Sequence, residues 1–113
     1  MPNFPLSPFR QVGNIFFVSG QIGQIEGALV SDEITEQTAQ TIANIAKILE
    51  QNSLTIKDVI DSTVFLTDYD DYDAFNEAYR KGFSEPYPSR TTVVIKSLPL
   101  SARVEIKVIA SKS

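Results

Sequence analysis

Neither cysteine nor histidine occurs anywhere in the 113 residues, and the two absences remove much of the usual catalytic repertoire. Without cysteine there is no disulfide framework and no thiolate metal site; without histidine there is no imidazole catalysis and little basis for a zinc centre. Serine-histidine and cysteine-histidine hydrolysis are excluded together. Positive charge is also short. Ten Lys and Arg against fourteen Asp and Glu leave a net charge of −4, and the basic residues are scattered, so binding to phosphate backbones is not the electrostatic default unless a basic groove forms on assembly. The opening Met1-Pro2-Asn3-Phe4-Pro5 has no basic or apolar leader region, and no apolar run approaches the length of a membrane span. A soluble, cytoplasmic protein is expected. No repeat, low-complexity segment or charge block marks a linker or tail. One domain over residues 1–113 is expected, near the size at which buried area only just outweighs chain entropy and association helps.

What is present is a regular alternation of patterns. After a proline-rich lead-in, Asn14–Ser19 is an aromatic and β-branched run ended by Gly20, with Arg10-Gln11-Val12 before Gly13 as its hairpin partner. Gly23 and Gly27 bound a loop and turn, with Ala28-Leu29-Val30 a short edge segment. From Glu33 to Asn52, Ala39, Ile42, Ala43, Ala46 and Leu49 recur at three- and four-residue steps, which predicts a long amphipathic helix. Ile45 and Ile48 widen its apolar surface, through either deep burial or a second contact surface. Ser53–Asp58 reads as a connector and Val59–Leu66 as a strand. Asp68-Tyr69-Asp70-Asp71 supplies carboxylate caps, rather than a metal site, for a second helix with Tyr72, Phe75, Tyr79 and Phe83 inward and its end near Gly82 and Pro86. Strands over Thr91–Lys96 and Arg103–Ala110 complete the chain. The order predicts an α+β fold, one sheet with two helices on a single face. In the last strand Val104, Ile106, Val108 and Ala110 meet the helices, which leaves Glu105 on the uncovered face.

Chemistry concentrates in the late part of the chain. Tyr87-Pro88-Ser89-Arg90-Thr91-Thr92 places an arginine after a proline-restricted turn, where its planar fork can grip a small carboxylate in two hydrogen bonds. Glu105, on what is expected to be the adjacent strand, can handle a water or a proton. The plainer possibility is that both are ordinary charged residues of a solvent face.

Ser19-Gly20-Gln21, Ser62-Thr63-Val64-Phe65-Leu66, Pro88-Ser89-Arg90 and Glu105, in this order, resemble the RidA family, also called YjgF, whose members are reactive-intermediate or enamine/imine deaminases; the resemblance runs from about Pro8 to Ala110. It implies a chorismate-mutase-like fold assembled as a homotrimer with active sites in the clefts between subunits, and no cofactor or metal. The implied reaction is hydrolysis of 2-aminoacrylate, 2-aminocrotonate and their imine tautomers to 2-keto acids and ammonia. Arg90 matches the family's carboxylate-binding arginine and Glu105 the glutamate near the attacking water, its charged form favoured by a nearby arginine. Ser19 matches a serine at the pocket wall and is otherwise a strand-ending turn residue. Gly20 and Thr92 fall where backbone amides approach the ligand. Asn76 matches an asparagine reaching toward the neighbouring subunit's cleft and, without the resemblance, is a polar surface residue.

The chain departs from the pattern at Ser7-Pro8-Phe9-Arg10-Gln11, where the family has Gly-Pro-Tyr-Ser-Gln, so Phe9 brings a ring but no hydroxyl to substrate binding. Gly23 replaces a frequent proline, and Lys107 stands where a second glutamate often lies. Two other functions stand behind the deaminase: a non-catalytic trimer that binds a small carboxylate or acts as a chaperone or regulator, and then an endoribonuclease or translation inhibitor, in line with the family's other label, endoribonuclease L-PSP.

Overall fold

The last strand, β7 (Val104–Ser111), buries Val104, Ile106, Val108 and Ala110 completely, as expected of a strand lying inside a sheet with one face against helices. In the computed structural model, which describes residues 4–113, the main sheet has the order β1-β2-β7-β5-β6. Its other strands are β1 (Phe9–Val12), β2 (Ile15–Gln21), β5 (Val59–Leu66) and β6 (Ser89–Val94). A separate two-stranded ribbon joins β3 (Gln24–Ile25) to β4 (Ala28–Leu29). Helices α1 (Ile34–Glu50) and α2 (Tyr72–Gly82) pack on the main sheet's apolar face and on each other.

This order corrects one expectation. β6 and β7 are consecutive in sequence but not neighbours, because β5 runs between them. β5 and β6 are parallel, whereas β7 is antiparallel to both β2 and β5. A parallel pair needs a crossover, which α2 supplies, and this sends β6 to the edge. β6 also begins at Ser89 and not Thr91, so Arg90 lies within the strand. Sheet hydrogen bonds therefore fix its backbone.

The inward stripe of α1 is the expected one only in part, at Ile42 and Leu49. Gln37, Thr38, Thr41, Ile42, Ile45 and Leu49 are buried, whereas Ala39 and Ala43 are exposed. Ile45 is fully buried. Two of these polar side chains have their hydrogen bonds met within the fold, while the buried Thr38 hydroxyl has no partner among the described residues: the Thr41 hydroxyl donates to the Gln37 carbonyl at 2.7 Å, and the buried Gln37 amide clamps two segments. Gln37 Nε2 donates to the Ser31 carbonyl at 2.9 Å, while its Oε1 accepts from the Arg103 backbone N–H at 2.8 Å. Gly23 lies so close to this turn that a Cβ would come within 2.5 Å of the Gln37 carbonyl oxygen, which accounts for glycine there.

The acidic run before α2 is a capping segment. Asp68 Oδ1 accepts from the Asp70 N–H at 2.9 Å, and Asp71, at the helix start, pairs with Arg103 at 3.1 Å. Among the described residues no group of three or more acidic side chains is placed to hold a metal ion, and no helix is long and apolar enough to cross a membrane.

Candidate active site

Arg90 pairs in register with Ser62 on β5, a fully buried residue on the helix-covered face. Its guanidinium therefore lies along α2. The guanidinium carbon is 4.9 Å from the centroid of the Tyr79 ring, 5.3 Å from Phe75 and 5.9 Å from Tyr72, all within cation-π range. Arg90 Nη2 also donates to the Tyr72 hydroxyl at 3.3 Å. Among the described residues the ion pairs are Arg80–Glu77 and Arg103–Asp71, so Arg90 has no carboxylate partner there. It borders a cavity of about 320 Å³ lined also by Asn76, Tyr79, Arg80, Tyr87 and Pro88. A partly buried, fixed cation without a counter-ion at the wall of a cavity is a receptor for an anion.

Burial pushes the Tyr79 hydroxyl above the usual tyrosine range, against the smaller opposing effects of its Ser62 hydrogen bond and the Arg90 charge. Tyr79 thus remains a neutral phenol, 2.7 Å from the Ser62 hydroxyl.

Glu105 belongs to a second cluster. The β2–β7 register runs from Val18↔Val108 to Gln21↔Ile106 with a shift between them, so Ser19 and Gly20 together face Lys107. This is a bulge, a device that re-aims backbone and side chains locally. It sets Gly20 against Glu105 so closely that a Cβ on Gly20 would collide with the carboxylate. Burial pushes the Glu105 carboxyl above the ordinary glutamate value. The expected direction was the opposite, favouring the charged form through a nearby arginine; within the subunit Arg90 is not nearby, and desolvation acts alone.

The separation follows from register. Arg90 pairs with Ser62 and Glu105 with Phe65, three residues apart along β5, and an odd spacing puts two side chains on opposite faces. One subunit thus carries two separate clusters, a cation with its cavity on one face and a carboxylate with a bulge on the other.

The remaining candidates divide between these clusters or fall outside them. Asn76 lines the Arg90 cavity. Thr92 shares the face of Arg90, and its hydroxyl is buried and unpartnered among the described residues. Ser19 borders the bulge, but its hydroxyl donates to the Ser7 carbonyl at 2.5 Å and its N–H to Pro8 at 2.9 Å. These bonds tie down the lead-in. The Phe9 ring packs 6.2 Å from that of Phe16, against the core, and is not part of the Arg90 cavity wall. Tyr72, Phe75 and Tyr79 are residues that sequence reasoning assigned to the core alone. An aromatic helix face in the crossover just before an arginine-bearing strand was the available signal.

The family model described as endoribonuclease L-PSP matches residues 2–112. The chain belongs to the RidA family. It is 42% identical to a RutC family protein of Saccharolobus solfataricus over 96% of this chain and 90% of that protein. It is 34% identical to a 2-iminobutanoate/2-iminopropanoate deaminase of Dermatophagoides farinae, over 94% and 84% of the two chains. The crystal structure of RidA from an Antarctic Psychrobacter superposes with a TM-score of 0.92 at 33% identity, covering 99% of this chain and 92% of that one. The RidA fold is thus shared throughout, and at the level of the family the associated role is deamination of reactive intermediates.

Proposed function

We propose that this chain hydrolyses small 2-imino acids, the tautomers of 2-aminoacrylate and 2-aminocrotonate, to 2-keto acids and ammonia, at sites formed between the copies of a homotrimer. The observation that carries this is Arg90, a fixed cation at a cavity wall without a counter-ion among the described residues. Its fork grips the substrate carboxylate in two parallel hydrogen bonds, which orients the adjacent C=N carbon. Asn76 on the cavity wall and the Thr92 hydroxyl, unpartnered among the described residues, offer further polar contacts on the same side.

The two clusters lie on opposite faces, and a neighbouring copy reunites them as half-sites: the cation half of one subunit faces the Glu105 and Gly20 half of the next. Glu105 accepts a proton from water as the water oxygen bonds to the imine carbon, and returns it to the nitrogen as the C=N bond opens to the carbinolamine. The hydroxyl proton of that adduct then passes to nitrogen as the C–N bond breaks, ammonia leaves and the carbonyl forms. A carboxyl raised above its ordinary value is a stronger base than a solvated one and suits this step. The reaction is intrinsically easy, so orientation and one positioned water suffice.

The packing of Phe9 against Phe16, with no hydroxyl to contribute, favours one second reading, binding of a small carboxylate without turnover. An assay separates the two. Imine is generated in situ by a threonine dehydratase and surviving imine is trapped. The proposal expects wild type to speed its loss and Arg90→Ala not to; a folded, inert wild type that 2-ketobutyrate protects against thermal unfolding would establish the binding protein.

A further inference from the structure

A guanidinium binds a carboxylate through two parallel bonds only if the plane of its fork is held at the right angle. In many proteins a structural carboxylate does the holding, but it also cancels the charge. Around Arg90 the task falls to groups without charge. Tyr72, Phe75 and Tyr79 present three ring faces, and the Tyr72 hydroxyl accepts one hydrogen of Nη2, leaving the other N–H groups for a ligand.

The rings are themselves held. Tyr79 stacks on Phe83 at 4.4 Å and lies 5.5 Å from Phe75, and its hydroxyl is fixed by the fully buried Ser62. Tyr72 stacks on Tyr69 at 5.4 Å with planes 18° apart. Tyr69 is 67% exposed, so this second line of support runs in from the surface. A phenol whose ring is stacked outside and whose oxygen meets the guanidinium fixes rotation about the last bonds of the arginine while preserving its full charge.

We propose that Tyr72 is a positioning residue, which sets the plane of the Arg90 fork for carboxylate recognition on the cradle built by Tyr79, Ser62 and Phe75. The inference rests on the assignment of Arg90 as the carboxylate grip. It predicts that the hydroxyl of Tyr72 matters only where there is a plane to orient, and hence that its effect disappears when a spherical ammonium replaces the guanidinium.

The test is a double-mutant cycle between Tyr72→Phe and Arg90→Lys, read as the Kd for 2-ketobutyrate by calorimetry and as kcat and KM for imine, with Tm recorded for every variant. Tyr72→Phe keeps the ring and its stack. In the Arg90 background it should weaken 2-ketobutyrate binding and raise KM by about fivefold, the equivalent of one ordinary hydrogen bond, with kcat and Tm little changed. In the Arg90→Lys background the same change should do nothing further. Tyr79→Phe, which frees Ser62 but keeps the ring, should weaken binding in the same direction. Wild-type affinity in Tyr72→Phe, or a loss of equal size in both backgrounds, would overturn the inference. Because binding is read apart from turnover, a wild type that binds 2-ketobutyrate but turns over no imine removes the deaminase proposal and leaves Tyr72 to be judged on Kd. A wild type that binds no small carboxylate overturns both.

Discussion

Arg103 and Arg90 stand at the starts of two late strands, both partly shielded from water, and the fold treats them in opposite ways. Arg103 is paired: Nε donates to the Asp32 carbonyl at 2.8 Å, Nη1 reaches Asp71 at 3.1 and 3.5 Å, and its backbone N–H is held by Gln37. Arg90 has one phenol oxygen at 3.3 Å and three ring faces. The first arginine joins the start of α2, the loop before α1 and β7 into one unit, and its charge is already paired with Asp71. The second is immobilised by neutral groups and retains its charge and most of its donors. Among the described residues a carboxylate partner is supplied to only one of these two cations, which separates a structural tie from a candidate receptor.

The largest test of this contrast is Arg90→Ala, which should lower imine deamination by about 100-fold, the equivalent of two charge-assisted hydrogen bonds, with Tm nearly unchanged. Arg90→Lys should lose most of the same activity, because charge without the planar fork cannot make the paired contact. Arg103→Met is the mirror case. It should cost about 2 kcal/mol of stability in denaturant unfolding, since the largely buried Asp71 carboxylate is left unpaired, while activity per folded molecule stays near wild type. Similar stability losses in both arginine variants would erase the distinction.

Glu105→Gln should reduce activity by about tenfold, below the usual range for a general base because imine hydrolysis is intrinsically easy. It also has a signature in pH. The fold raises the Glu105 pKa by desolvation, so ionising this group costs stability. The cost is absent below the ordinary glutamate value and fully present above the raised one. Through that window wild type should therefore lose stability relative to Glu105→Gln as pH rises, and the activity limb that follows Glu105 deprotonation should vanish in the variant. Tm and rate measured across the acid range check both. The smallest expected effect is that of Gly20→Ala, where the added Cβ pushes the Glu105 carboxylate aside; activity should fall about fivefold through misplacement, with Tm shifted less than by Arg103→Met.

Much of this architecture was legible in the sequence. Alternation over Val104–Ala110 and the aromatic spacing of Tyr72, Phe75, Tyr79 and Phe83 located the helix-covered face; the residues these patterns turn inward are all buried except Tyr72, which is partly buried against the core. The α1 stripe was right at Ile42 and Leu49 but misplaced elsewhere, because alanines were counted as inward and Gln37, Thr38 and Thr41 were left out of the apolar set. Hydrogen bonds formed by Gln37 and Thr41 within the fold, invisible to a hydropathy pattern, reverse that order. The adjacency of β6 and β7 was wrong because consecutive strands were assumed to pair. The signal against it was the contrast between β7, apolar at every second position, and β6, whose Ser89-Arg90-Thr91-Thr92 is that of an edge. Residue types found the two charges, but the one-strand spacing that puts them on opposite faces depends on the register with β5.

That opposition is the core of the account, and mixed assembly tests it most directly. Arg90→Ala and Glu105→Gln, each of low activity alone, are co-refolded in equal amounts and assayed for imine loss. If a cation from one copy works with a carboxylate from the next, random mixing in a ring leaves about a quarter of the sites with both groups intact, and activity should recover to about that fraction of wild type. No recovery in trimers shown to contain both variants would contradict it, and would place Arg90 and Glu105 in the same subunit's site or in no common site at all.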